Sequence, residues 1–502
     1  MNKYPRTTLQ SINFPTARPS EAGVPEEAVC EFLTHLQTTG VPMHAVLLAR
    51  HGKLIAEGYY APFERNRLHR MFSVTKSLNA LAIGLLEADG KLSLDDPIIN
   101  YFPDKLPDNI HPFVSSMTIR NLLMMRTCHV STTYKGSSLE WVESFFKTPP
   151  SHKPGTVFHY DTSAAHTLCI LVERVAGMPM LDFLKERVLS KIGWSAESYI
   201  LPNPYGDAQG GSGLMCTAYD LLLLGQLLLQ RGNWNGEQLL PKAFVEAATS
   251  KLSPTIMTGP VLSEMQGYGY QIWRGEHNNF VLYGMGGQLV ICLPDYDMVC
   301  VTCADTQGMG GGNQFIYNRF YETILPAIDA YPSGCYPKPL SEEGVTAYDQ
   351  LQEQLSSLCI QPVRSITAHV DPDTTCQPQI NGRTYHLTEN KHGYTHCSLH
   401  FDESSTSGYF AYSYAGNNCR LAFDTQTLQT GILDVHDLFY GASGTWTSPD
   451  TFYLRCHIMD TSVGSISMEF VFGDEDVTIF MKKIEETYLD EYNCHLYGRL
   501  LH

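Results

Sequence analysis

Apolar residues at Leu78, Leu81, Ala82, Leu85 and Leu86 recur at the three- and four-residue spacing of one helix face and stop at Asp89-Gly90. This predicts a helix of about four turns. Helical runs are also read over Ala164 to Ala176 and Phe315 to Leu325, and a strand over Leu289 to Leu293. The pattern then changes. Pro332, Gly334, Pro337 and Pro339 lie between Tyr331 and Leu340 and mark a linker, followed by a helix around Tyr348 to Leu358. Beyond it the period falls to that of short strands: Tyr385–Leu387, Ser398–Phe401, Gly408–Tyr412 and Cys419–Phe423. The clearest hairpin is Ser467–Phe472 and Val477–Met481 around the turn Gly473-Asp474-Glu475-Asp476. The expected organisation is a unit over 1–335 and a β-rich unit over 336–502, the latter a small antiparallel barrel or sandwich.

Composition narrows the class. A chain of 502 residues, 43% hydrophobic and 17% charged, is globular and can bury a substantial core. A net charge of −18 argues against nucleic acid and anionic membranes as partners. The first residues, Met1 to Thr8, carry no apolar core of signal-peptide length, and no stretch reaches a membrane span. Fourteen cysteines without framework spacing fit a reducing compartment. A cytoplasmic location is expected.

Three local patterns carry chemistry. Ser73-Val74-Thr75-Lys76 opens the first helix, placing a hydroxyl and an amine one turn apart on one face. Serine needs a base to become a nucleophile at neutral pH, and a desolvated lysine can be that base. The bland alternative for Ser73 is an ordinary helix cap. Ser144-Phe145-Phe146-Lys147 has the same spelling, but Thr148-Pro149-Pro150 follows at once and ends any helix. Tyr160 lies in Pro154–Thr162, directly before the run from Ala164, where a phenol can serve as acid and base or simply anchor a core. Gly284-Met285-Gly286-Gly287-Gln288 precedes a strand, and its glycines allow backbone N–H groups close to a substrate, although glycines alone signify only a turn.

In this order the three patterns resemble the serine β-lactamase and penicillin-binding-protein superfamily, in particular its class C-like branch of esterases, D-aminopeptidases and aminohexanoate-oligomer hydrolases. Ala45–Ala49 and Leu54–Glu57 around His51-Gly52-Lys53 look like the opening hairpin of that family, and Lys91–Pro97, Thr118–Leu123, Gly211–Leu214 with Thr217 and Asp220, Trp234–Gly236 and Gly267–Tyr270 continue the likeness. The resemblance implies an α+β fold for 1–335, an antiparallel sheet flanked by helices with a helical subdomain. It implies Ser73 as acylated nucleophile, Lys76 as its activating partner, Tyr160 as the second acid/base group, and the backbone N–H groups of Ser73 and Gln288 as the oxyanion hole. Thr162, Met285, Gly286 and Gly287 would line the substrate site.

Two positions depart from that pattern. Tyr160-Asp161-Thr162 has a hydroxyl where relatives commonly carry an asparagine amide, and Met285 stands where carboxylate-recognising relatives carry Lys or His. A thioether cannot pair with a carboxylate. The expectation is therefore an ester, amide or short-peptide hydrolase that is neither a true β-lactamase nor a DD-peptidase, with a catalytically silent binding or regulatory protein of the same fold as the alternative. No cofactor and no metal is expected: Cys300-Val301-Thr302-Cys303 sits in a strand-like run, Gly308–Gly312 lacks a phosphate-loop lysine, and His166 and His457 read as hydrogen-bonded structural groups. The β-rich unit is expected to scaffold, to support a homo-oligomer, or to send a loop over the mouth of the site.

Overall fold

The computed structural model describes residues 14–330, 342–366, 368–403, 406–486 and 488–501. Its first core surrounds a seven-stranded antiparallel sheet in the order Lys53–Tyr59, Met43–Arg50, Met298–Ala304, Gln288–Leu293, Phe280–Gly284, Trp273–Arg274, Gly267–Tyr268. The hairpin near the N-terminus therefore joins the sheet beside a strand some 250 residues later, with Leu47 opposite Val301 and Leu48 opposite Cys300. Strands Met43–Arg50, Gln288–Leu293 and Met298–Ala304 are buried at every position, as strands covered on both faces must be.

One cover is the helix Ala218–Leu229, which packs on these three strands. Leu221, Leu222, Leu223, Leu224, Leu227 and Leu228 are all buried, each contributing roughly 1.5–3 kcal/mol of transfer free energy. A helix apolar all round suits that interior position. Thr217 and Asp220 start it with a reciprocal capping box. Glu26–Thr38 packs on Gly312–Asp329, where Phe32 meets Phe320 edge-on with ring centroids 5.7 Å apart. Val74–Ala88 and Thr162–Ala176 pack against each other in the helical subdomain.

The second core, from Ile380 to Leu496, fills a β-barrel. Nine strands run in ring order from Asn417–Asp424 through Cys494–Leu500 to Leu438–Ser448, and a parallel pairing of Asp424 with Ser443 closes the ring. Closure removes the exposed edges that a flat sheet would present. The fold is α+β, and of the two β architectures read from the sequence the barrel is the one formed. Along Asp476–Ile484 buried and exposed residues alternate, which places one face on the core and one in water.

The linker expected at Tyr331 to Leu340 lies outside the described residues. The helix after it spans Glu342–Ser356, and Leu351, Leu358 and Ile360 pack into the first core. The barrel is tied back by Arg67 Nη2 donating to Met459 O (2.7 Å), Arg70 Nη1 to Thr461 O (3.0 Å) and Gln307 Nε2 to Val463 O (2.8 Å). Among the described residues, no helix is long and apolar enough to cross a membrane.

Candidate active site

Ser73 caps the helix Val74–Ala88, yet its hydroxyl makes no capping bond to the helix backbone. Lys76 Nζ donates to it instead, at 2.8 Å. The chain on either side of it is held to Leu214: Met71 N donates to Leu214 O (2.9 Å), and Leu214 N donates to the Thr75 side chain at Oγ1 (3.0 Å). Phe72, between them, adopts a left-handed φ of 45°, a conformation that a bulky residue holds only when its surroundings enforce it. Strain therefore sits at the residue that aims Ser73.

Lys76 is 1% exposed and makes a second bond to Gly211 O at 2.7 Å. Loss of hydration lowers its pKa from 10.5 to about 7, against the charges of Asp161 and Glu486 and with that of Lys135. That fall corresponds to roughly 5 kcal/mol of disfavour for the ammonium form. The neutral amine is thus accessible near neutral pH, with its lone pair beside the Ser73 hydroxyl.

Tyr160 closes the triangle. Its ring centroid lies 4.8 Å from Lys76 Nζ, and its hydroxyl lies near Ser73. Burial raises the phenol, while contacts from Ser73 and Trp273 pull the other way. Trp273 stacks on the ring at 5.5 Å and fixes its plane. Asp161, next in sequence, is fully buried and caps Thr162–Ala176, accepting from Ser163 N at 2.9 Å and from the Ser163 hydroxyl. Desolvation pushes its carboxyl up to about 6, opposed by those bonds and by Lys76. Thr162 N donates to Thr132 Oγ1 (3.1 Å), and the Thr162 methyl lies against Gly211, the acceptor of Lys76.

The turn Met285-Gly286-Gly287 joins Phe280–Gly284 to Gln288–Leu293, with Gly284 opposite Gln288. Gly286 and Gly287 hold φ of 83° and 95°, which their lack of a Cβ permits. The Gln288 side chain is buried in locking this turn: Nε2 donates to Met285 O (2.7 Å) and Ala304 O (2.9 Å), and Oε1 accepts from Ala304 N (3.0 Å). A Cβ on Gly284 would stand 2.3 Å from Met71 O, so glycine is what lets this strand end reach the entry to the Ser73 helix. Met285 is half-buried at the turn.

Lys76 thus contacts both Ser73 and Tyr160, with the glycine turn alongside. The second Ser-x-x-Lys match is elsewhere and engaged differently. Ser144 lies inside the helix Trp141–Lys147, donates to Trp141 O (2.7 Å) and shares a hydrogen bond with Thr133 Oγ1, and Lys147 pairs with Glu143. Several neighbours were not singled out from the sequence. Asp161 carried a legible cap signal, an Asp before Thr-Ser and an apolar run. The Gly211 carbonyl and Trp273 carried none, being brought in from more than a hundred residues away. Glu264 is a buried carboxyl pushed up to about 8 by burial, and its charge bears on Tyr160. Glu486 of the barrel pairs with Lys135 at 2.8 Å, and both act on Lys76.

A Ser–Lys–Tyr constellation around a buried lysine, on an antiparallel sheet with a helical subdomain, defines the class, and sequence comparison gives the family: the chain belongs to the Beta-lactamase family, whose model matches residues 29–314. It is 25% identical over 281 residues to the 6-aminohexanoate-dimer hydrolase of Paenarthrobacter ureafaciens, covering 51% of this chain and 71% of that one. It is 28% identical over 199 residues to esterase EstB of Burkholderia gladioli, covering 32% of this chain and 50% of the esterase. A solved structure from Bacillus anthracis, provisionally described as a 6-aminohexanoate-dimer hydrolase, superposes with a TM-score of 0.52 at 20% identity, over 66% of this chain and 90% of that one.

Proposed function

We propose that this protein is a serine hydrolase that cleaves an ester or amide through an acyl-enzyme on Ser73. The observation that carries the reading is the 2.8 Å contact between Ser73 Oγ and the buried Lys76 amine. A binding protein of the same fold would gain nothing from holding a lysine where its charged form is disfavoured. The names of two relatives, a 6-aminohexanoate-dimer hydrolase and an esterase, support a hydrolytic reaction.

In the proposed reaction neutral Lys76 takes the Ser73 proton as Oγ attacks the carbonyl carbon. The C=O π electrons move to oxygen, and the backbone N–H groups of Ser73 and Gln288 stabilise that oxyanion; losing one such donor typically costs about a hundredfold or more in rate. Tyr160 passes a proton to the departing alkoxide or amine and is reprotonated from Lys76. Water then attacks the acyl-enzyme with the same groups in reverse, releasing the acid and restoring Ser73. Gly286 and Gly287 shape the acyl site, Thr162 supports it through Gly211, and the Lys135–Glu486 pair brings a charged residue of the barrel within range of Lys76. The substrate is a small ester, amide or short peptide.

The Lys76 amine sets an expected pH dependence. Only the neutral form accepts the proton, so kcat/KM rises about tenfold per pH unit below about 7 and levels above it. Steady-state kinetics from pH 5 to 9 on one substrate test this; a profile flat across pH 7 would exclude Lys76 as the base.

Met285 sets an expected specificity. A substrate carboxylate there would lose hydration without gaining a charge-assisted hydrogen bond. Penicillins and D-Ala-D-Ala peptides should turn over slowly or not at all, and Met285→Lys should shift preference toward carboxylates. Matched carboxylate and methyl-ester substrates give the comparison. A tenfold preference for the carboxylate in the unmodified enzyme, about 1.4 kcal/mol in transition-state binding, would show that another cation recognises it.

A further inference from the structure

Outside the Ser73 site, three side chains from separate segments converge: Glu140 at the start of Trp141–Lys147, His166 on Thr162–Ala176, and Asp207 in the loop before Gly210-Gly211. One ligand atom from each lies within 4.8 Å of the others. His166 is expected from the sequence to be a hydrogen-bonded structural group, but neither ring nitrogen meets hydrogen-bond geometry with any partner, although the side chain is fully buried and the Ala208 backbone lies beside it. Burial holds the imidazole neutral, lowering its pKa to about 4 against the pull of Glu140 and Asp207. A neutral imidazole facing two carboxylates without bonding to either leaves a buried polar group unsatisfied.

We propose that Glu140, His166 and Asp207 bind one divalent transition-metal ion, with zinc as the ion to test. An imidazole nitrogen and two carboxylate oxygens are a zinc donor set, and the nitrogen disfavours calcium and magnesium. The centre of a triangle with 4.8 Å sides lies about 2.8 Å from each corner. Small side-chain movements, under about 1 Å each, therefore reach the roughly 2.0–2.2 Å of zinc coordination. Glu140 keeps capacity for the ion: Oε1 accepts from Val142 N (2.9 Å), and Oε2 from Glu143 N and Lys105 Nζ (both 3.0 Å), while each carboxylate oxygen has further lone-pair room. Lys105 offsets one negative charge, leaving the trio at about −1 to receive a dication. The Ala208 backbone beside the imidazole can accept its second N–H, the arrangement that orients metal-bound histidines. Asp207 is half-buried next to exposed Gly206, which gives the ion a way in.

The placement gives such an ion a structural task. Tyr205 already ties the Asp207 loop to Leu139 O (3.2 Å), and the same loop supplies Gly210 O to Asn79 (2.6 Å) and Gly211 O to Lys76 (2.7 Å). A metal there would clamp the loop that holds the Lys76 acceptor.

The test uses the full chain stripped with a chelator, desalted and titrated with zinc sulfate. Elemental analysis after gel filtration should find one zinc per chain, the melting temperature should rise with zinc, and cobalt in its place should give visible d–d bands. Asp207→Asn, at the open edge of the site, should fold normally and weaken zinc binding at least tenfold; His166→Gln should abolish it. Failure of the unmodified chain to retain zinc, or equal zinc affinity and unchanged cobalt bands in folded Asp207→Asn, would overturn the proposal. Because metal content and melting temperature are read without turnover, these outcomes are independent of the assignment of Ser73.

Discussion

Replacing Ser73 by Ala is expected to lower kcat/KM on any ester or amide substrate by on the order of 10⁴-fold or more, since losing the nucleophile disables a unit whose members act together. Ser144→Ala should leave turnover within about twofold. The Ser144 hydroxyl is committed to Trp141 O and Thr133, and Lys147 to Glu143. Ser73, by contrast, is half-buried at a helix start and engaged by Lys76. Rates for both variants, with circular dichroism to show that each is folded, check this. Equal loss in the two would remove the ground for preferring Ser73.

Lys76→Ala and Tyr160→Phe are each expected to cost at least about a hundredfold in rate. Together they should cost far less than the product of the separate losses, because the two groups handle the same proton. Tyr160→Phe is the cleaner variant: it keeps the ring against Trp273 at 5.5 Å and removes only the hydroxyl. Lys76→Ala also leaves Asp161 buried without its nearby positive charge. Lys76→Met, which fills the space, separates that effect from loss of the base. Near-normal amide turnover by Tyr160→Phe would show the tyrosine to be a core anchor.

Much of the framework was legible because its signals are local. The spacing of Leu78 to Leu86 and the stop at Asp89-Gly90 correspond to the helix Val74–Ala88 with Asp89 as its cap, and the run from Ala164 to the helix Thr162–Ala176. In the barrel, the hairpin around Gly473–Asp476 appears as Val463–Phe472 and Asp476–Ile484, and Tyr385–Leu387 at its expected bounds. The remainder depends on partners distant in the chain. Nothing near Met43–Arg50 announces that it pairs with Met298–Ala304, and nothing near Lys76 announces a bond to Gly211, 135 residues on. Phe72 gives no glycine-like cue for its left-handed backbone, which is imposed by the links of its neighbours to Leu214. The surroundings of His166 are hidden for the same reason: Glu140 and Asp207 come to it only on folding.

The most direct test of the central claim is covalent. The folded protein is treated with a fluorophosphonate, and the adduct is located by intact mass and peptide mapping. The account expects one adduct per chain on the peptide containing Ser73, formed faster as pH rises through about 7, unchanged in Ser144→Ala and absent in Ser73→Ala. A folded protein that takes up no probe, or takes it up on another residue, would contradict it.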